Sequence, residues 1–200
     1  MKIYTFCDVH GDNRLIHRAL KKINSENPDI VIFGGDISEF EQNLSSLLKT
    51  FSSLPMPFVI IPGNHEDPEE LKEMCKKFKN IIYLHNSAYK FRDVLIIGSG
   101  GGGFSSKDSV FEKYSKRFEK SFERERKIIF VTHAPFYGTK LDKLPIIGHV
   151  GNKSYREFII KFKPKIAICG HLHENFEISE KFKDTLMINP GPVGRILELE

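Results

Sequence analysis

The chain has 200 residues, 40% of them hydrophobic, and its 30 Lys and Arg residues against 26 Asp and Glu residues give a formal net charge of +4. A chain of this length can bury one sizeable core, and no linker rich in Pro, Gly or Ser divides it, so we expect residues 1–200 to form a single domain. Charges of both signs are mixed along the chain, which argues against the basic face that a nucleic-acid partner would need.

The cysteines and the N-terminal segment indicate the cellular compartment in which the protein is expected. The three cysteines, Cys7, Cys75 and Cys169, are odd in number and far apart, so the sequence offers neither a disulfide framework nor a Cys-x-x-Cys metal site. A reducing compartment suits such thiols. The N-terminal apolar run stops at Asp8, too early for a signal-peptide core or a membrane span. We therefore expect a cytoplasmic protein without membrane contact, and the sequence leaves the oligomeric state open.

Short apolar runs rich in β-branched residues alternate with longer amphipathic stretches. The runs predict strands at Ile3–Phe6, Ile30–Phe33, Phe58–Ile61, Val94–Ile97, Ile128–Thr132 and Ile166–Cys169. Runs as continuous as these are typical of strands that are covered on both faces. The stretches between them predict helices at Asn13–Ser25, Phe40–Ser52, Glu69–Phe78, Ser109–Glu125 and Tyr155–Phe162. Strand followed by helix, repeated along the chain, predicts an α/β fold.

The C-terminal part shows a different pattern, with three further runs and no helical stretch between them. These runs predict strands at Phe176–Glu180, Thr185–Ile188 and Arg195–Leu199. Consecutive strands without crossover helices favour a mixed, partly antiparallel sheet in the second half of the chain. We therefore expect a sandwich of two sheets with helices outside.

Local capping signals mark some of the helix starts. Asp67 followed by Pro68 predicts an N-cap and a proline at the first helical position. Asp12 predicts an N-cap for the first helix. Ser154 and Glu157 predict a weaker capping box.

Five of the predicted strands end in residues that can bind metal ions. The segments are Asp8-Val9-His10, Gly34-Gly35-Asp36, Gly63-Asn64-His65-Glu66, Thr132-His133 and Gly170-His171-Leu172-His173. Ligands of open α/β sheets bind beyond the carboxyl ends of the strands, so we expect these segments to form one rim. Imidazole and carboxylate without thiolate suit manganese, iron, zinc or nickel and disfavour a structural zinc site.

The number of these groups indicates more than one ion. Two aspartates, an asparagine and five histidines exceed what one ion needs if a water position stays open, but they suffice for two ions that share a carboxylate. Two metals about 3.5–4 Å apart can hold the attacking and the leaving oxygen of an in-line displacement at phosphorus and lower the pKa of a bound water toward about 7. The expected reaction is therefore hydrolysis of a phosphate ester.

Glycines next to these groups predict sharp turns. Asp8 and His10, two residues apart, would point to opposite sides of an ideal strand, so they can converge only where the strand has ended. Gly11 permits that turn, and Gly170 permits the same turn before the last two histidines.

The ordered series DxH, GD, GNHE, a lone H and GHxH resembles the calcineurin-like metallophosphoesterase superfamily. The small Icc-related phosphoesterases of bacteria and archaea are most similar, because they also show segments like Thr132-His133-Ala134-Pro135, His149-Val150-Gly151, Cys169-Gly170-His171-Leu172-His173-Glu174 and Asn189-Pro190-Gly191. The similarity extends over nearly the whole chain. It implies a layered α/β/β/α sandwich of two mixed sheets flanked by helices.

The resemblance also implies roles for single residues. One metal would be held by Asp8, His10 and His173, and the second by Asn64, His133 and His171, with Asp36 bridging both. His65, with Asn64 beside it, would contact the substrate phosphate and act as a catalytic acid or hydrogen-bond donor. Glu66 would orient His65 or a ligand. His149 and Asn152, in the long loop at 134–152, are predicted substrate contacts.

Three functions remain open. The first is a phosphoesterase acting on a phosphodiester or phosphomonoester of a small or nucleotide-like substrate. The second is a catalytically silent scaffold of the same fold, which would have no chemical need to keep His65 and every ligand position. The third is a metal-dependent nuclease, which the dispersed charge disfavours. Ile37-Ser38-Glu39 stands where Ser/Thr protein phosphatases have Asp-Arg-Gly, so that branch is not expected.

Other residues have simpler interpretations. His17 and His85 lack comparable neighbours and are expected to be structural or solvent-facing. The glycines at 100–103 lack the Gly-Lys-Ser/Thr continuation of a phosphate loop and predict a flexible loop near the rim. A group of phenylalanines is expected in the core and not at a base-stacking surface, namely Phe104, Phe111, Phe118 and Phe122.

Overall fold

Two β-sheets packed face to face form the centre of the fold, and helices cover their outer faces. The computed structural model describes residues 1–117, 119–122, 125 and 127–200. The strands are β1 (Lys2–Phe6), β2 (Ile30–Phe33), β3 (Phe58–Ile60), β4 (Ile81–Tyr83), β5 (Ser87–Phe91), β6 (Val94–Ser99), β7 (Ile128–Thr132), β8 (Lys143–Leu144), β9 (Gly148–His149), β10 (Ile166–Ile168), β11 (Ser179–Phe182), β12 (Thr185–Ile188) and β13 (Arg195–Glu198). The helices are α1 (Asn13–Glu26), α2 (Leu44–Phe51), α3 (Pro68–Cys75), α4 (Ser109–Arg117), α5 (Glu119–Phe122) and α6 (Lys153–Phe162), with a 3-10 turn at His173–Asn175.

Both sheets are mixed. The first has the order β13-β1-β2-β3-β4, in which β1 to β4 are parallel and β13 is antiparallel. The second has the order β11-β12-β10-β7-β6-β5, with four parallel central strands and an antiparallel strand at each edge. β8 and β9 form a separate hairpin. The expected α/β/β/α sandwich is therefore confirmed.

Three apolar layers hold the sandwich together. In the middle layer, Ile32 of β2 belongs to the same buried cluster as Val131 of β7, so the two sheets share one core. Helices α1 to α3 cover the other face of the first sheet around Phe33, and α4 and α6 cover the second sheet around Phe130. The central strands are thus covered on both faces, which explains their continuous apolar runs.

The predicted central strands are confirmed to within two residues, but the edge strands β4 and β5 were not predicted. β5 alternates between half-buried and exposed residues, and β4 has only three residues. β5 therefore gives no continuous apolar run, whereas Ile81-Ile82-Tyr83 of β4 is such a run and was missed.

The predicted helix at Phe40–Ser52 is wrong in its first turn. Phe40, Glu41 and Asn43 have positive φ angles of 46°, 64° and 58°. An α-helix cannot contain such angles, so α2 begins only at Leu44.

Two further boundaries differ from the prediction. β11 begins at Ser179 and not at Phe176, because Glu177 adopts a positive φ of 65° that interrupts an extended strand. The predicted helix at Ser109–Glu125 corresponds to α4 and α5, and residues 118, 123 and 124 of that range lie outside the described residues.

The capping predictions are confirmed at two helices and wrong at a third. Asp12 and Asp67 each accept two backbone N–H groups at the starts of α1 and α3. α6 begins at Lys153, one residue before the predicted box, and its N-cap is Asn152. Among the described residues, none of the helices combines the length and the apolar character required to cross a bilayer.

Candidate metal centre

The five motif-bearing strand ends meet at one edge of the sandwich, and both sheets contribute to it. β1, β2 and β3 of the first sheet lead to the segments at 8–10, 36 and 64–65, whereas β7 and β10 of the second lead to 133 and 171–173. The loops remain paired beyond the strands, since the N–H of Asp8 donates to the carbonyl of Gly35 at 3.0 Å and the N–H of Gly170 to that of His133 at 2.9 Å. The structure thereby brings the predicted ligands and His65 together.

One group of donors consists of Asp8, His10 and His173, whose ligand atoms all lie within 4.8 Å of one another. Nε2 of His173 is 3.4 Å from Nε2 of His10 and 3.8 Å from Oδ1 of Asp8. The buried Asp8 carboxylate also accepts the N–H of His171 at 3.2 Å. Two imidazole nitrogens converging on a carboxylate form a donor set that suits a divalent cation.

A second group consists of Asn64, His133 and His171. Nδ1 of His133 donates to the carbonyl of Gly34 at 2.9 Å, which directs its Nε2 toward Oδ1 of Asn64 at 3.0 Å. The ring of His171 lies 5.2 Å from that of His133. Within the described ranges, the buried Nε2 of His171 has no hydrogen-bond partner, so its lone pair is free to bind a cation.

Asp36 lies between these two groups. Its Oδ2 is 3.3 Å from Nε2 of His133, in the second group. The same oxygen is 3.8 Å from Nε2 of His10, in the first group. Nε2 of His65 lies 4.0 Å away, and the N–H of His65 donates to Oδ1 of Asp36 at 3.0 Å. A single buried carboxylate therefore faces donors from both sheets.

The ligand residues themselves form the turns at the strand ends. Positive φ angles of 54°, 44°, 58° and 70° occur at Asp8, His10, Asp36 and His171. A non-glycine residue in this region costs about 1–3 kcal/mol, and such strain clusters at functional sites. Gly11 adopts a φ of 70°, as its predicted role requires. Gly170 is needed for space instead, because a Cβ there would lie 2.6 Å from Oδ2 of Asp8.

Glu66 ties the loops of the first sheet together. One carboxylate oxygen accepts the N–H groups of Asp36 at 3.0 Å and Gly63 at 2.8 Å. The other accepts the N–H and the hydroxyl of Ser38, both at 3.0 Å. Glu66 is buried, and it holds the main chain around Asp36 without touching the ring of His65 in any of these bonds.

The titration of the central groups is strongly perturbed. Burial opposes the charge on Asp36, but the hydrogen bond and the positive charge of His133 outweigh it and lower the pKa of Asp36 to about 2. Burial likewise opposes the charge on His133, yet Asp36 raises its pKa to about 9. Burial and the nearby charge of His133 lower the pKa of His171 to about 4. The lowered pKa values of Asp36 and His171 favour an ionised carboxylate and a neutral imidazole, which are the forms that ligate a cation, whereas His133 has to release a proton before it can bind one.

The cluster opens into a cleft of about 310 Å³. Its walls include His10, Asn64, His65 and His173, together with Phe104, Leu144 and Glu174. The volume lies at the lower end of the range of about 300–1,000 Å³ that is usual for small-molecule sites.

Sequence reasoning missed three residues of this site. Oxygens of Glu39 lie 3.3 Å from Nδ1 of His10 and 3.7 Å from Nδ1 of His65, although neither contact is a directed hydrogen bond. Phe40 packs its ring 4.4 Å from that of His65. Phe104, predicted to be in the core, is 64% exposed, and its ring lies 4.6 Å from that of His171. In the sequence, only the closeness of these three residues to the metal-binding motifs or to the glycine loop indicated a place in the site.

The other predicted core phenylalanines do not belong to the site. Phe111 and Phe122 are buried, as expected, and Phe118 lies outside the described residues.

The two predicted substrate contacts in the loop at 134–152 differ from each other. Asn152 is fully buried, and its side chain accepts the N–H of Tyr155 and donates to the carbonyl of Ser105. A structural role therefore replaces the predicted contact. Nδ1 of His149 lies 2.8 Å from the buried carboxylate of Asp142, and 39% of the His149 side chain is exposed.

His85 has a structural role next to the glycine loop. Its Nδ1 accepts the N–H of Gly100 at 3.0 Å, and burial lowers the pKa of His85. The far end of this loop reaches the rim as expected, since a Cβ at Gly103 would lie 3.7 Å from Cε1 of His171.

The comparisons with known proteins agree with this geometry. The model of the calcineurin-like phosphoesterase family matches residues 1–175. The chain belongs to this family. Family membership and the histidine–aspartate groups together support a metal-dependent phosphoesterase.

Two relatives extend the comparison to named enzymes. A probable glycerophosphodiester phosphodiesterase GpdQ of Arcobacter nitrofigilis is 26% identical over 186 residues, which are 85% of this chain and 65% of that protein. The glycerophosphodiester phosphodiesterase GpdQ of Enterobacter lignolyticus is 23% identical over 209 residues, covering 98% of this chain and 73% of that protein. This chain therefore spans less than two thirds of the length of the first relative.

A solved structure supports the fold. A protein of Thermus thermophilus superimposes with a TM-score of 0.79 at 14% identity, covering 96% of this chain and 89% of that one. At this identity the similarity shows the shared two-sheet architecture.

Proposed function

We propose that the protein hydrolyses a phosphodiester or phosphomonoester of a small or nucleotide-like substrate with two divalent metal ions. The position of Asp36 carries this proposal, because its Oδ2 lies 3.3 Å from Nε2 of His133 and 3.8 Å from Nε2 of His10. A carboxylate shared by two donor sets is what two neighbouring cations require. The donors suit Mn, Fe, Ni or Zn.

The ligand assignment is the one that the family resemblance implies. One ion would be held by Asp8, His10 and His173, the other by Asn64, His133 and His171, and Asp36 would be shared. The unpartnered Nε2 of His171 supports this assignment. When bound, the ions supply Lewis-acid charge and a hydroxide for in-line attack at phosphorus. Glu66 and the strained turns keep the donors in place before any ion arrives.

His65 is assigned the catalytic role of the chain. It lines the cleft, and its Nε2 lies 4.0 Å from Oδ2 of Asp36, in a group with His10 that could itself hold a cation. From this position it would donate a hydrogen bond to the substrate phosphate, beside Asn64, and a proton to the leaving oxygen. The carboxylate of Glu39, 3.7 Å from its Nδ1, would limit the orientation of the ring.

The names of both relatives favour a phosphodiester as substrate. A part of the substrate that extends beyond the cleft would meet His149. This residue lies in the hairpin whose Leu144 lines the cleft.

Turnover of bis(4-nitrophenyl) phosphate and 4-nitrophenyl phosphate with Mn²⁺, before and after chelation, tests the activity. We expect hydrolysis that the chelator abolishes, with a preference for the diester. Absence of hydrolysis under several metals would favour a silent scaffold, and metal-dependent degradation of single-stranded DNA would favour a nuclease.

Elemental analysis of Asp36→Asn tests the shared carboxylate. We expect two ions per chain in the wild type and fewer in the variant, because the carboxylate contributes negative charge to both sites. Retention of both ions by Asp36→Asn would refute the bridging assignment.

A further inference from the structure

Two of the most exposed large apolar side chains, Phe40 and Phe104, lie at the metal cleft. Within the described ranges the five most exposed are Ile146, Ile147, Phe40, Phe104 and Val110, at 107%, 71%, 67%, 64% and 62%. Phe104 lines the cleft, Phe40 packs on His65, and the two isoleucines closely follow Leu144 of the cleft wall. Exposed apolar groups gathered at one place indicate a binding surface.

Two of these side chains contact the histidines of the metal centre directly. The ring of Phe40 lies 4.4 Å from that of His65, with 36° between the planes. The ring of Phe104 lies 4.6 Å from that of His171, with 68° between the planes. Any group that covers these rings therefore lies next to a phosphate bound at the metal centre.

The backbone holds Phe40 in place at a cost. Its positive φ of 46° is unusual for a bulky residue. Ser38 stabilises this turn, because its hydroxyl accepts the N–H of Glu41 at 3.1 Å and contacts Glu66 at 3.0 Å. The same carboxylate that orders the Asp36 loop thus fixes the turn that exposes Phe40. Strain maintained in this way indicates a functional constraint.

Phe104 lies on a loop that is anchored on both sides of this residue. Its preceding glycines, at 101–103, have φ angles of 70°, 87° and 44°. The loop is anchored by the N–H of Gly101, which donates to the carbonyl of Pro62 at 2.8 Å, and by the Asn152 side chain, which donates to the carbonyl of Ser105 at 2.9 Å. The backbone that carries each ring is therefore held in place before an apolar ligand binds.

We propose that this cleft has a subsite for an apolar, ring-sized ester group, with Phe104 in the cleft wall and Phe40 on the ring of the cleft residue His65. The substrates would be phosphate esters of apolar, aromatic alcohols and not of glycerol. This inference rests on the proposed function and specifies the substrate class of the same site. While the two rings are exposed, their apolar surface contributes little to the stability of the fold. Binding of an apolar group removes that surface from water, which is favourable.

Calorimetric titration of the Mn²⁺-loaded protein with phenylphosphonate and methylphosphonate tests the subsite. Both probes carry the anionic head of a phosphate ester but have no ester bond to cleave. We expect phenylphosphonate to bind on the order of tenfold more tightly, as aromatic contacts of this kind support. In Phe40→Ala and Phe104→Ala the ratio of the two Kd values should fall, and in the double variant it should approach one.

Val110→Ala serves as the matched control, because Val110 is exposed to a similar degree as the two phenylalanines and lies on α4. This variant should keep the wild-type ratio. A ratio near one in the wild type, an unchanged ratio in the double variant, or no binding of either probe would overturn the subsite. Hydrolysis is not needed for this measurement, so an inactive protein that discriminates between the probes would refute the proposed function alone.

Discussion

Replacing Glu66 by Gln tests how the loops of the metal centre are held together. The substitution keeps the shape of the side chain but leaves one acceptor oxygen for four donors from Asp36, Gly63 and Ser38. The new NH2 group is expected to face Ser38, because a hydroxyl can rotate and accept a hydrogen bond. The backbone N–H groups of Asp36 and Gly63 cannot accept a hydrogen bond, so the remaining carbonyl oxygen of the glutamine would stay their acceptor.

The expected loss follows from this arrangement. The N–H of Ser38 becomes an unsatisfied buried donor, which costs about 1–3 kcal/mol, and two bonds lose the assistance of a charge, at about 1 kcal/mol each. Removal of a buried charge offsets part of this loss, because burial raises the pKa of Glu66 and so disfavours its ionised form. We therefore expect Glu66→Gln to lower the free energy of unfolding by about 2–4 kcal/mol.

Urea unfolding in the presence of a chelator measures this loss without a contribution from metal binding, and Mn²⁺ titration of the folded variant measures the effect on the site. The affinity for Mn²⁺ should fall, because the main chain at Asp36 loses its anchor. Glu69→Gln, on the exposed surface of α3, is the matched control and should change stability by less than about 0.5 kcal/mol. If Glu66→Gln unfolds like the control and binds Mn²⁺ like the wild type, the anchoring role is refuted.

Three further predictions concern the same edge of the molecule. His65→Ala should keep its two ions and lose roughly 10²–10⁴ in kcat as an acid catalyst is removed; loss of an ion, measured by elemental analysis, would make His65 a ligand instead. Gly63→Ala should lose metal, because its Cβ would lie 1.8 Å from Oδ1 of Asp36, whereas Gly11→Ala, with open space at the Cβ, should retain metal despite a positive φ of 70°. In the metal-free protein, His85 should make the free energy of unfolding depend on pH, because burial lowers the pKa of its ring in the folded state. The contribution of His85 to stability is complete above the pKa of about 6.5 that the residue has in the unfolded chain, and it declines as the pH falls below that value. Urea unfolding at pH 7.5 and pH 5.5 should show a smaller difference for His85→Gln than for the wild type, and an equal difference would contradict this reasoning.

The strain at the metal centre has a consequence for its stability. The left-handed angles at Asp8, His10, Asp36 and His171 are kept by hydrogen bonds between neighbouring loops and not by local preference. Bound cations would add ligand bonds that favour these same conformations. Metal binding should therefore raise the unfolding midpoint, in proportion to how far the metal concentration exceeds its Kd.

The amino-acid sequence by itself determined the central strands and the chemistry at their ends. Continuous apolar runs such as Ile30–Phe33 signal strands covered on both faces, and the motif residues follow these runs directly. The N-caps Asp12 and Asp67 were also predictable, since a cap depends on residues only two or three positions away. These are local patterns, and local patterns can be read along the chain.

Only the tertiary structure decided the rest. The rim is built from two sheets, so the contact between Asp36 and His133 joins residues whose distance no local pattern encodes. The burial of Asn152 depends on a contact between two loops that are remote in sequence, since its side chain donates to the carbonyl of Ser105. Positive φ angles at residues such as Phe40 oppose intrinsic preference, and they persist because bonds from distant segments outweigh the local cost.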